Sequence, residues 1–149
     1  MLQDILTLDS VRFAERFDDW RLAVRAACEP LLERGAIDAG YIDAIIGNVE
    51  KIGPYIVIMP DVAIPHARPE AGARAIAMAL LKTTVPVAFG TDPDQQVRLL
   101  FAFSATDSHS HQAALRQLSR LLMDETLFAS LQAATTPAEV LALIARVGE

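Results

Sequence analysis

At 149 residues the chain is long enough to bury a substantial core in one domain, and its 52% hydrophobic content excludes disorder. A formal net charge of −6 with no lysine/arginine cluster excludes a nucleic-acid binder, which needs such a cluster to meet the phosphate backbone. The single cysteine, Cys28, rules out an internal disulfide and fits a reducing, cytoplasmic setting.

The apolar content, with a mean hydropathy of +0.30, raises the prospect of a membrane protein. Yet no run approaches the ~20 apolar residues needed to span a bilayer. The richest stretches, residues 55–59, 75–81 and 99–105, are strand-sized and have charges or prolines close by. A sheet covered on both faces accounts for them better, because its strands read as unbroken apolar runs. The opening MLQDILTLDS holds no basic segment followed by a hydrophobic one, so no signal peptide is expected. With no internal repeat, low-complexity stretch or linker, residues 1–149 read as a single domain.

Residues 11–17 (VRFAERF) form a candidate short strand. Asp18 or Asp19 can cap the helix that follows, where Trp20, Val24, Ala27 and Leu31 recur at helical spacing and Gly35 marks the stop. Asp38 can cap a second helix with Ile42, Ile45, Ile46 and Val49 on one side, ending near Gly53-Pro54. Residues 55–59 (YIVIM) read as a strand, followed by a turn-rich stretch over 60–72. Residues 75–82, 85–89 and 97–105 read as further strands. After Asp107 the pattern is helical to the end. Ala114, Leu115, Leu118, Leu121 and Leu122 form one stripe, and 125–133 gives a second helix. Thr136-Pro137-Ala138-Glu139 opens a third with a capping box and proline at the first helical position. Helices, then strands, then helices predict a mixed α/β domain with a central sheet covered by helices.

The chain has only three histidines, His66, His109 and His111. His66 lies in Ala63-Ile64-Pro65-His66-Ala67-Arg68-Pro69-Glu70, just after a predicted strand, where flanking prolines stiffen the backbone. Arg68, two residues on, points to the same side in extended backbone, and its planar charged fork suits a dianionic phosphoryl group. This pair reads either as a nucleophile with an anion clamp or as a surface histidine with Arg68 paired to Glu70. His111 shares a helical face with Leu115, Leu118 and Leu122, so it looks into the protein from the first helical turn. Asp107, Ser108 or Ser110 can supply the cap there. A helix start accepts phosphate and disfavours imidazolium, which keeps a nearby histidine neutral. If the 97–105 strand lies beside the one leading to His66, both histidines reach one end of the sheet. The plainer alternative for His111 is a half-buried ring bonded to a backbone carbonyl.

His109 and His111 form a His-x-His pair, but helical geometry splays the rings by about 200°, and no carboxylate or cysteine cluster completes a shell, so no metal site is expected. Cys28 sits in an apolar helical stripe and reads as a packed thiol. There is no G-x-x-x-x-G-K-[ST], no G-x-G-x-x-G and no G-x-S-x-G, so neither a bound nucleotide cofactor nor a serine nucleophile is expected.

Gly53-Pro54-Tyr55-Ile56-Val57-Ile58-Met59-Pro60 followed by the Pro65-His66-Ala67-Arg68-Pro69-Glu70 run resembles the EIIA components of the sugar phosphotransferase system (PTS). The likeness is to the fructose/mannitol superfamily, especially its ascorbate-type branch, and covers essentially the whole chain. Asp107 and His111 before the leucine stripe resemble that family's second signature. The resemblance implies that His66 receives a phosphoryl group from phospho-HPr and passes it to a cysteine of a cognate EIIB. It implies that His111 stabilises the phosphorylated ring, with Arg68 and Asp107 about the phosphoryl group. It further implies a mannitol-type EIIA fold, a mixed sheet with helices on both sides, that often pairs as a dimer. In the family the ring nitrogen remote from the main chain is phosphorylated, so the nearer one must hold its proton against an acceptor. A regulatory phosphoprotein of the same fold is the alternative, and the transported compound is expected to be ascorbate or a related sugar acid or pentitol. The chain departs from the family pattern at Asp61-Val62, where many relatives carry glycine, and at Val49, where mannitol-type members carry an arginine. The Asp61 carboxylate would either repel an incoming phosphoryl group or face solvent. His109 has no assigned role.

Overall fold

The computed structural model describes residues 2–147. A short helix α1 (Leu2–Ile5) leads into strand β1 (Val11–Ala14), then helices α2 (Trp20–Glu33) and α3 (Ala39–Ile52). Strands β2 (Val57–Met59), β3 (Asp61–Ala63), β4 (Ala77–Ala88) and β5 (Gln96–Ser104) follow, and helices α4 (Ser108–Met123), α5 (Glu125–Ala133) and α6 (Pro137–Val147) complete the described chain.

The five strands form one mixed sheet in the order β1-β4-β5-β3-β2. β4 and β5 are antiparallel and apolar on both faces, and the pleat sends alternate residues to two separate cores. Met78, Leu80, Phe101 and Phe103 pack under α1, α4, α5 and α6, while Ala77, Ala79 and Ala102 face α2 and α3. Helices thus cover both faces, as the unbroken apolar runs predict. β3 runs parallel to β5, with Ala63 opposite Leu100, so the chain leaves both strands at one end of the sheet.

The helix signals act as physical devices. Asp19 accepts the Arg21 N–H at 2.7 Å and starts α2, and Thr136 accepts the Glu139 N–H at 3.2 Å in the α6 capping box. Asp38 occupies the cap position of α3, but its carboxylate is taken instead by Arg74 Nε at 2.6 Å. Gly53, at φ 94°, ends α3 in backbone that side chains rarely adopt.

Several expected boundaries are corrected. β1 ends at Ala14 rather than 17. The expected strand over 55–59 is only β2, because hydrogen bonds from Tyr55 N to Gly53 O (2.8 Å) and from Val57 N to Pro54 O (3.1 Å) make its first half a turn. The turn-rich stretch conceals β3, three residues too short to show a period. Residues 75–82 and 85–89 are not two strands. β4 runs through Pro86, and a register shift between Lys82 and Val87 accommodates the missing N–H.

Asp61 is the non-glycine residue with a positive φ, 76°, among the described residues, at the start of β3 and the far end from His66. It neither faces solvent nor meets the site, contrary to both expectations. Its carboxylate accepts from Arg98 Nε (3.0 Å), Arg98 Nη2 (2.8 Å), the Arg98 backbone N–H (3.0 Å) and Gln132 Nε2 (3.0 Å). Left-handed backbone favours glycine; here four hydrogen bonds to the Asp61 carboxylate offset the strain. Asp61→Ala is expected to cost about 2 kcal/mol in urea unfolding, since bonds to a charged group are lost and the strain stays. Asp61→Gly should cost less, because it relieves the backbone. Equal losses in the two variants would show that φ plays no part.

Candidate functional site

Beyond β3 the chain continues beside β5. Ile64 N donates to Ile56 O at 2.7 Å, and Phe103 N donates to Pro65 O at 3.0 Å. Pro65 is buried and His66 is half-buried, so the ring stands on a fixed segment at the rim of the sheet. His66 Nδ1 lies 2.6 Å from the Ile64 carbonyl oxygen. A carbonyl only accepts, so Nδ1 must carry the proton, and in the neutral ring Nε2 keeps its lone pair.

His111 enters from the first turn of α4, whose start follows β5 directly. Its ring lies 5.3 Å from that of Phe103 and 6.4 Å from that of His66, centroid to centroid, with 60° between the two imidazole planes. The strand adjacency of β3 and β5 therefore brings the two histidines to one end of the sheet. Burial, and then the nearness of His66, lower the His111 pKa below the ordinary imidazole value. It is therefore neutral at physiological pH. The sign for stability follows from linkage: below the ordinary value the unfolded chain binds a proton that the folded chain resists. Stability is expected to fall as pH drops through that window, and His111→Gln should flatten that part of the urea-midpoint profile. An unchanged profile would contradict a neutral, half-buried ring.

Arg68 is exposed, and among the described residues it has no ion-pair partner; the alternative pairing with Glu70 is not made. It lines a shallow cleft of about 310 Å³ together with Asn48, Ile52, Tyr55, His66, Ala67 and His111. Asp107 does not line this cleft. Its carboxylate caps α4 by accepting the Ser110 N–H at 2.7 Å, and that backbone bond holds its pKa below the usual carboxylate value. His109 is exposed and likewise outside the cleft lining. Among the described residues no group of three or more His, Cys, Asp or Glu side chains is placed to hold a metal ion. Cys28 is fully buried, and its thiol is pushed up to about 12 by burial, which makes it inert.

Three cleft residues escaped the sequence reading: Asn48, Ile52 and Tyr55. Tyr55 donates its hydroxyl to the His66 carbonyl at 2.5 Å and sets its ring edge-on to the imidazole, 5.5 Å away at 73°. Burial raises the Tyr55 pKa, and Asn48, close by on α3, counters part of that rise. Ile52 continues the spacing of Ile45 and Val49 and so reads as core in the sequence, yet at the end of α3 it is 72% exposed, a large apolar side chain that no core covers. A larger groove of about 550 Å³ between α1 and α6 has, among the described residues, no histidine, lysine, arginine or cysteine in its lining.

An open imidazole nitrogen, a second neutral imidazole and an unpaired guanidinium on one cleft suit transfer of an anionic group through histidine. Among the described residues no helix is long and apolar enough to cross a membrane. The family described as "Phosphoenolpyruvate-dependent sugar phosphotransferase system, EIIA 2" matches residues 4–147. The ascorbate-specific PTS system EIIA component of Escherichia coli K12 is 35% identical over 138 residues, 92% of this chain and 90% of the relative. The solution structure of the mannitol-specific cryptic phosphotransferase enzyme IIA CmtB from Escherichia coli superposes with a TM-score of 0.89 at 34% identity, covering 97% of this chain and 98% of that one. The same fold recurs in the complex of enzyme IIAMtl and phosphorylated enzyme IIBMtl from Escherichia coli, at a TM-score of 0.80 and 24% identity, covering 95% and 99% of the two chains. The match over nearly every described residue, on a mixed sheet that sets two imidazoles at one rim, places the chain in the EIIA type 2 family of phosphoenolpyruvate-dependent sugar phosphotransferase systems, as a phosphocarrier component.

Proposed function

We propose that the chain, acting as one domain, accepts a phosphoryl group from the phosphohistidine of HPr on Nε2 of His66 and passes it to a cysteine of a cognate EIIB. The observation that carries this is the 2.6 Å approach of His66 Nδ1 to the Ile64 carbonyl, which leaves the remote nitrogen as the nucleophile. Its lone pair forms the new N–P bond as the donor's N–P bond breaks, and the donor imidazole keeps the released electron pair. In the second transfer the EIIB thiolate attacks phosphorus, and His66 leaves as neutral imidazole. Both steps require positioning and charge stabilisation more than covalent assistance. His111 supplies a neutral N–H to the phosphoryl oxygens, and Arg68 supplies a mobile positive charge at the cleft mouth.

The ascorbate specificity of the relative at 35% identity supports ascorbate, or a related sugar acid or pentitol, as the compound whose uptake this phosphoryl group drives. The proposed setting is the cytoplasm, and a homodimer is the proposed assembly. The test is incubation with enzyme I, HPr and phosphoenolpyruvate, followed by addition of EIIB. Acid-labile phosphate should form on the chain and then move to the EIIB cysteine. No acid-labile phosphate would remove the proposal; label that forms but never moves to EIIB would remove its transport half.

A further inference from the structure

The carbonyl of His66 and the N–H of Ala67 belong to one peptide unit, and a tyrosine hydroxyl holds each end of it. Tyr55 donates to the carbonyl at 2.5 Å, and the hydroxyl oxygen of Tyr41 accepts the Ala67 N–H at 3.1 Å. Tyr41 reaches this point from α3, 1% exposed, and its hydroxyl lies 2.8 Å from the carbonyl oxygen of Phe103. Phe103 is the residue whose ring packs against His111. Among the described residues no other side chain hydrogen-bonds both the His66 loop and β5. Packing alone asks for no hydroxyl here, since a phenylalanine would fill the same space; a buried hydroxyl is tolerated because it is bonded. Burial pushes the Tyr41 phenol up to about 12, so it remains a neutral donor throughout the working range.

We infer that Tyr41 and Tyr55 are positioning residues that lock the peptide unit between His66 and Ala67, and so fix the direction of the His66 ring toward His111. Orientation of that peptide sets ψ of His66 and φ of Ala67, the two soft dihedrals that follow the imidazole along the chain. With both ends held, the ring keeps Nδ1 on the Ile64 carbonyl and Nε2 toward the cleft. Neither phenol touches the reacting nitrogen; both act through the backbone. A misplacement of about 1 Å in such a site costs on the order of 100-fold in rate.

The inference rests on His66 as the phosphoryl acceptor, and the experiment separates the two. Tyr41→Phe and Tyr55→Phe keep the rings and remove only the hydroxyls, with Leu143→Ala in α6 as a control of reduced stability away from the site. Each phenylalanine variant should slow phosphorylation by phospho-HPr by roughly 10- to 100-fold, while Leu143→Ala should not. Nitrogen NMR of the His66 ring, which needs no phosphoryl transfer, should show the Nδ1–H form in the native chain and a mixture of both tautomers in each phenylalanine variant. A variant with the native rate, or a slowed variant whose His66 keeps the native tautomer, would overturn the inference. If Tyr41→Phe does not fold, Tyr55→Phe decides alone. If the native chain takes no phosphoryl group, the proposed function falls, and the tautomer measurement still decides the clamp.

Discussion

His66→Gln is expected to abolish acid-labile phosphorylation, with a loss of more than about 10⁴-fold, as follows when a nucleophile itself is removed. Glutamine keeps the polarity and approximate length of the side chain at this half-buried position, so the rim of the sheet should hold its shape. An amide nitrogen carries no lone pair available to phosphorus, and no neighbouring group replaces it. Tyr55 commits its hydroxyl to the His66 carbonyl. His111 reaches the cleft, but among the described residues neither of its ring nitrogens is hydrogen-bonded to a backbone carbonyl as His66 Nδ1 is. Circular dichroism alongside the labelling assay distinguishes a lost nucleophile from a lost fold. Label at the native level in a folded His66→Gln protein would rule out His66 as the acceptor.

The second large effect is expected at His111. His111→Ala should leave the label on His66 while slowing its arrival by about 10²- to 10³-fold, the range for removing one donor aimed at developing negative charge. The centroid distance of 6.4 Å leaves room for a phosphoryl group to bridge the rings but excludes a direct bond between them as the working state. In the proposed transfer His111, whose pKa is lowered by burial and then by His66, acts as a neutral hydrogen-bond donor to the phosphoryl oxygens. His111→Gln, which restores an N–H, should recover part of the rate. Rapid-quench measurement of phosphorylation in the three proteins checks this. Equal rates in native and alanine forms would leave His111 a packing residue on Phe103.

The parts of this architecture that were legible in the sequence are those that depend on local chemistry. Asp19, Gly53 and the Thr136-Pro137-Ala138-Glu139 box announce helix ends because capping is a contact between near neighbours. The leucine stripe placed His111 on the inward face of α4, and its contact with Phe103 follows from that face. His66 stood out through two prolines and a nearby arginine. What was hidden depends on partners distant in sequence. β3 is a strand because β5 lies beside it, and three residues beginning with a left-handed aspartate carry no period of their own. Asp61 looked like a stray charge until Arg98 and Gln132, 37 and 71 residues away, were seen to hold it. The break expected between residues 82 and 85 is absent, because β4 runs on through Pro86 and absorbs it at a register shift. Tyr55 read as an apolar strand residue, and nothing in the local sequence singled out Tyr41. Their hydroxyls acquire a purpose only where α3, the His66 loop and β5 meet.

The central claim is the identity of a single atom, and phosphorus–nitrogen NMR of the chain phosphorylated by enzyme I, HPr and phosphoenolpyruvate reads it directly. The phosphorus should couple to Nε2 of His66, with Nδ1 of the same ring still protonated against the Ile64 carbonyl. Phosphate on Nδ1 of His66, or on His109 or His111, would contradict the account.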